Sequence, residues 1–194
     1  DLMKQTIFAF FVRFYPGKIV NMTNGITPRR WLNQANPRLA KLISSHIDCG
    51  WIRDLKQLKQ LAPYADDAEF RAEFAAAKRA NKERFASYMQ RHYQITLNVD
   101  SLFDVQIKRI HEYKRQLLNL LHVVTLYNRI RRNPDADYVP RTVIIGGKSA
   151  PGYVMAKLII KLINDVADVV NNDPRVGNRL KVVFVPNYNV SSAE

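Results

Sequence analysis

From residue 101 onward, short β-branched runs alternate with longer amphipathic stretches, and that alternation leaves few folds open. Phe103 to Ile107 alternates apolar and polar residues, as a strand does. Tyr113, Leu117, Leu121 and Val124 then fall on one helical stripe. Arg129, Arg131 and Arg132 follow in the last turn, where cations suit the helix dipole, and Pro134 stops the run. Thr142 to Ile145 is a second strand ending in Gly146-Gly147, Gly152 to Val170 a second amphipathic helix, and Leu180 to Val185 a third strand. The order is β–α–β–α–β, with crossovers long enough for parallel pairing. The expected fold class is therefore α/β, with half of a doubly wound, parallel, Rossmann-like sheet. The chain opens on Asp1 and closes on Glu194 straight after a strand-like run, so it is expected to be a piece of a longer protein.

The first hundred residues read as helical. Ile7, Phe8, Phe10, Phe11 and Phe14 cluster at helical spacing until Pro16-Gly17. Thr27-Pro28 offers a capping hydroxyl and a proline at the first helical position. Asn36-Pro37 breaks that helix and permits another, to about Ile47. Asp66-Asp67 can cap a long helix to about Tyr93, with Phe70, Phe74, Ala77, Phe85 and Tyr88 on its apolar stripe. The predicted organisation is a lead-in tail over 1–23, a helical segment over 24–100, and the sheet over 101–194.

The net charge of +13 is spread evenly, with 16 Lys/Arg against 9 Asp/Glu in residues 1–100 and 14 against 8 in 101–194. Such a balance favours anionic partners without choosing among nucleic acid, a membrane surface and phosphorylated small molecules. No recognised nucleic-acid motif is present, and the charges are dispersed rather than clustered. No apolar run reaches the length of a membrane span. A single cysteine, Cys49, excludes an internal disulfide and a cysteine-rich zinc site, fits a reducing compartment, and is expected to be buried.

The segment richest in chemistry is Lys108-Arg-Ile-His-Glu-Tyr-Lys114-Arg115, which places four cations within eight residues between a strand and a helix. In open α/β sheets ligands bind at that carboxyl end. Arg109 offers a planar fork to two phosphate oxygens, while Lys108 and Lys114 are compact charges. A solvated charge run would give the same pattern. Gly146-Gly-Lys-Ser-Ala-Pro-Gly152 permits a tight turn and close backbone approach, but has neither the GxGxxG nor the Walker order. Arg29 and Arg30 stand at the positive end of a helix, where a cation is disfavoured unless an anion is nearby, although two arginines simply turned to solvent are the default local reading. His111 and Glu112 lack metal-ligand spacing, and His46, His92 and His122 fall in helical stretches where surface or packed roles are the default.

Taken in order, NMTNGITPRRWL, SLFDVQIKRIHEYKRQLLN, VIIGGKSAPGYVMAK and NYNVSSAE resemble the α-glucan phosphorylase family, in one register from about Tyr15 to Glu194. The resemblance implies two Rossmann-like domains facing across a cleft, the GT-B arrangement, with this chain supplying the first half of the C-terminal one. It implies a cytoplasmic, homodimeric parent that uses inorganic phosphate to release glucose 1-phosphate from an α-1,4-glucan. It also implies pyridoxal 5′-phosphate, whose phosphate group serves as proton relay. By position in the motifs, Lys108 would hold the cofactor phosphate, Arg109 the substrate phosphate, and Lys114 would sit between both. Trp31 and Tyr188 would line the cofactor pocket, Asn24 would bind the glucosyl unit, and His111 and Tyr153 would stand near the mouth of the cleft. The lysine that carries the cofactor belongs to a glycine-rich segment not found in these residues, so the chain alone is expected to be inactive. Asn189 stands where animal members carry arginine, and the stretch around Phe10-Phe11 matches loosely. A basic nucleic-acid-binding module and a GT-B enzyme acting on a nucleotide-sugar are the competing readings.

Overall fold

The computed structural model describes residues 1–194. Two short helices, α1 (Leu2–Gln5) and α2 (Ala9–Phe14), open the chain, and Phe10, Phe11 and Phe14 are exposed on them. The Phe-rich stretch is helical as expected, but it covers no core. A π-helical turn spans Arg29–Gln34. Thr27 does not cap it through its hydroxyl; its carbonyl accepts from the N–H groups of Arg30 and Trp31. Helix α3 (Pro37–Ile47) begins where Asn36 Oδ1 accepts from the Leu39 N–H, and α4 (Ala68–Tyr93) begins where Asp67 Oδ1 accepts from the Phe70 N–H at 2.9 Å. Asp67 is a cap the sequence announces, and Asn36, legible there only as a break before a new helix, caps α3 as well.

Three parallel strands follow: β1 (Leu102–Ile107), β2 (Arg141–Gly147) and β3 (Leu180–Pro186), in that spatial order with β2 central. Leu102 pairs with Arg141 and Arg141 with Leu180, so the carboxyl ends of the strands lie level. Helix α5 (Gln116–Arg132) joins β1 to β2, α6 (Val154–Asn172) joins β2 to β3, and the short α7 (Val190–Ala193) follows β3.

The period of two along a strand explains the layers. Val143, Ile145, Leu180 and Val182 face a core built with Leu120, Val123 and Ile130 of α5 and with Ile159 and Ile163 of α6. The alternate residues Ile144, Val183 and Val185 face Met89 of α4 and Leu97. The sheet is thus covered on both faces, as a parallel sheet requires. A separate helical cluster holds Ala40, Ile43, Ile47 and the fully buried Trp51, whose Nε1–H donates to Ser44 Oγ at 3.0 Å.

Two expectations about packing fail. The buried face of α5 carries Gln116, Leu120, Val123 and Ile130, whereas Tyr113, Leu117 and Leu121 are exposed. Both faces of α5 are apolar, so periodicity could not select the one that meets the sheet. Cys49 is exposed, because it opens a 3-10 turn (Cys49–Ile52) whose inward position is taken by Trp51. His46 is packed as expected, its ring 4.8 Å from Tyr64 and 4.9 Å from Phe70.

Candidate functional site

The three level strand ends make the floor of a recess of about 470 Å³. Lys108 and Arg109 enter it just beyond β1, Gly147 and Lys148 at the end of β2, and Tyr188 and Asn189 after β3. Val190 and Ala193 of α7 close one side, and Trp31 of the π-helical turn closes another. Three cations line this volume and no carboxylate does. Its size falls within the range of about 300–1,000 Å³ typical of small-molecule sites.

Hydrogen bonds continue the β1–β2 ladder past the strand itself. The Lys108 N–H donates to Gly146 O at 3.1 Å and the Ile110 N–H to Lys148 O at 3.2 Å. This holds the Lys108–Arg109 peptide flat against Gly147, where a Cβ atom would lie 2.3 Å from Lys108 O. Only glycine permits that approach, and the approach sets Lys148 beside the two cations of the first loop. The sequence marks Gly146–Gly152 for its glycines, whereas the meeting of Lys148 with Lys108 and Arg109 depends on the strand register that brings the two loops level.

A second recess of about 280 Å³ shares Arg109 and Lys148 and adds His111, Ser149, Ala150 and Tyr153. The Tyr153 hydroxyl donates to Glu112 Oε2 at 2.5 Å and lies 3.4 Å from His111 Nδ1. That bond to Glu112, with burial adding to it, holds the phenol above the ordinary tyrosine pKa.

The remaining residues singled out from sequence are placed as follows. Lys114 lies on the 3-10 turn Glu112–Lys114, outside both recesses, with its ammonium 5.4 Å from the Tyr113 ring. Asn24 is exposed on the irregular segment before the π-helical turn and lines neither recess. The anion implied by Arg29-Arg30 is Glu194, whose Oε1 accepts from Arg30 Nε at 2.5 Å and whose backbone O accepts from Arg84. Asn189 caps α7, accepting from the Ser192 N–H at 3.1 Å, and brings no charge to the recess. No group of three or more His, Cys, Asp or Glu side chains is placed to hold a metal ion. No helix is long and apolar enough to cross a membrane.

A family model described as carbohydrate phosphorylase matches residues 1–194. The chain belongs to the carbohydrate phosphorylase family. Among its relatives, the glycogen phosphorylase of Synechocystis sp. is 59% identical over 190 residues, covering 98% of this chain and 22% of that protein. The muscle-form glycogen phosphorylases of Oryctolagus cuniculus and Homo sapiens are 57% and 56% identical over 194 residues, covering 100% of this chain and 23% of theirs. This phosphorylase chain thus spans less than a quarter of the length of the curated relatives it matches. The matched span, residues 1–194, covers the whole of the cationic recess.

Proposed function

We propose that the chain is part of an α-1,4-glucan phosphorylase, which transfers terminal glucosyl units to inorganic phosphate and releases glucose 1-phosphate. The observation that carries this is the recess at the carboxyl edge of the sheet, lined by Lys108, Arg109 and Lys148 without any carboxylate, in a chain of this family. A lining of that charge suits phosphate dianions and disfavours carboxylate-based acid–base hydrolysis.

The lining also fits pyridoxal 5′-phosphate. Its cations suit the phosphate arm, and Trp31 and Tyr188 offer flat apolar surfaces to a ring. Lys108 would hold that arm and Tyr188 and Trp31 would border the ring. When bound, the group supplies a second phosphate able to exchange a proton with the substrate phosphate. Holding two phosphates together is the electrostatic difficulty: unit charges 4 Å apart cost about 4 kcal/mol each pair at an effective dielectric near 20. Lys108, Arg109 and Lys148 would offset that repulsion. Arg109, with its planar fork, orients the substrate phosphate. Asn24 would bind the glucosyl unit from the segment ahead of Trp31. In this reading residues 101–194 are the first half of a GT-B C-terminal domain, 24–100 its helical lead-in, and 1–23 the tail of the preceding domain.

The test is phosphorolysis of maltoheptaose by the full-length protein. Lys108→Ala and Arg109→Ala are each expected to lower kcat/KM for phosphate by at least about a hundredfold, the scale of losing one charge-stabilising group, with little change in thermal stability. Wild-type rates in both variants would overturn the proposal. The 194-residue chain alone is expected to release no glucose 1-phosphate.

A further inference from the structure

The buried face of α5 contains one residue that does not belong there on hydropathy. Gln116 is fully buried at the head of a stripe whose next members are Leu120 and Val123. A buried amide is costly unless both its ends are bonded, and here both are. Gln116 Nε2 donates to Arg109 O at 3.1 Å, and Gln116 Oε1 accepts from the His111 N–H at 3.4 Å. The residue before it, Arg115, has φ 62°, and that left-handed turn swings the chain from the Glu112–Lys114 turn into α5.

The other end of the same loop is held the same way. Gln106 on β1 donates from Nε2 to Lys114 O at 3.1 Å and accepts at Oε1 from Asn119 Nδ2 at 2.9 Å. Amides from the strand and from the helix therefore pin the loop at residues 109, 111 and 114. No charged side chain takes part in these bonds, so the loop's cations remain free for a ligand.

We infer that Gln116 is a positioning residue, which sets the height of the Arg109 backbone and through it the reach of the guanidinium toward phosphate. The inference rests on the phosphate-binding reading of the recess and adds a residue that neither touches the ligand nor carries charge. An apolar side chain of equal length would fill the same space but leave Arg109 O and the His111 N–H without partners, and the loop would settle elsewhere. Misplacement of a binding group by about 1 Å is enough to cost up to a hundredfold in a positioned reaction.

The experiment uses the full-length protein with Gln116→Met, and with Gln116→Asn as the milder variant should methionine fail to fold, each alone and combined with Arg109→Ala. Inorganic phosphate affinity is read by titration calorimetry, glucan KM by steady-state kinetics, and stability by thermal unfolding. Expected for either variant is phosphate binding weakened by about tenfold, as the displaced Arg109 guanidinium loses part of its contact with the anion. Glucan KM should be unchanged, and the Arg109→Ala background should show no further loss, since residues acting as one unit are not additive. Unchanged phosphate affinity overturns the inference, as does an equal loss on top of Arg109→Ala or a parallel rise in glucan KM. If Arg109→Ala itself leaves phosphate affinity intact, the phosphate-site reading falls, and the role of Gln116 falls with it.

Discussion

Replacing Gly147 with alanine adds one methyl group at the tightest point of the site. The backbone there has no positive φ, so the conformation itself accepts alanine, and the effect is steric. The new Cβ would meet Lys108 O at 2.3 Å and Ile110 Cδ1 at 3.1 Å. A comfortable carbon–oxygen contact is about 3.3 Å, so the two adjacent segments must part by about 1 Å. The Lys108 carbonyl cannot yield alone, because the N–H groups on either side of it, of Lys108 and Ile110, are bonded to Gly146 O and Lys148 O. The separation therefore moves the segment that carries Lys108 and Arg109. Overpacking of this kind costs about 1–3 kcal/mol of stability, and a 1 Å shift of binding groups costs about a hundredfold in rate. Gly146→Ala should be milder, since its contact at 2.6 Å is the tip of the Ile107 side chain, and Gly152→Ala, with no atom within 4 Å, should be silent. Thermal unfolding and kcat/KM for phosphate, measured on the three variants of the full-length protein, decide the matter. If Gly147→Ala matches wild type in both, or Gly152→Ala is as damaging, the close approach does not shape the site.

Three further outcomes are expected. Trp51→Ala, which empties the centre of the helical cluster and strands Ser44, should cost about 3–5 kcal/mol in denaturant unfolding while leaving phosphate affinity alone. The Asp173 carboxyl is held below the usual carboxylate range by the Arg175 N–H at 2.9 Å, and further by Tyr127 and the Arg175 guanidinium. Its contribution is therefore fully present above the unfolded-state pKa of about 3.9 and lost as pH falls through its lower folded value. Asp173→Asn should accordingly lower stability at neutral pH and flatten the acid limb of the pH–stability curve; parallel curves would refute this. Leu117, Leu118, Leu121 and Val105 leave apolar surface in solvent, so the 194-residue chain should self-associate in sedimentation velocity, and a single monomeric species at all concentrations would count against that.

Elements announced by local chemistry were legible in the sequence. Asn36-Pro37 and Asp67 mark helix starts because a side-chain oxygen satisfies a free N–H there, whatever surrounds it. The β-branched runs mark the strands, and Lys108 and Arg109 follow from their place at a strand's carboxyl end. The orientation of α5 was not legible, because Leu117 and Leu121 are as apolar as Leu120 and Val123, and only the sheet decides between them. Cys49 was misjudged on residue type, since the neighbouring Trp51 takes the inward position. Lys148 lies in the glycine segment after β2, but its meeting with Lys108 and Arg109 depends on the parallel register that continues past the strands. Gln116 is the hardest case: a polar residue at the head of an amphipathic helix reads as solvent-facing, and its burial depends on partners in the loop before it.

The most direct measurement is a crystal structure of the full-length protein grown with inorganic phosphate. A tetrahedral anion in the recess, within about 3 Å of the Arg109 guanidinium and the Lys108 or Lys148 ammonium, is the predicted result. Phosphate bound only elsewhere, or a recess filled by another segment of the protein with these cations turned to solvent, would contradict it.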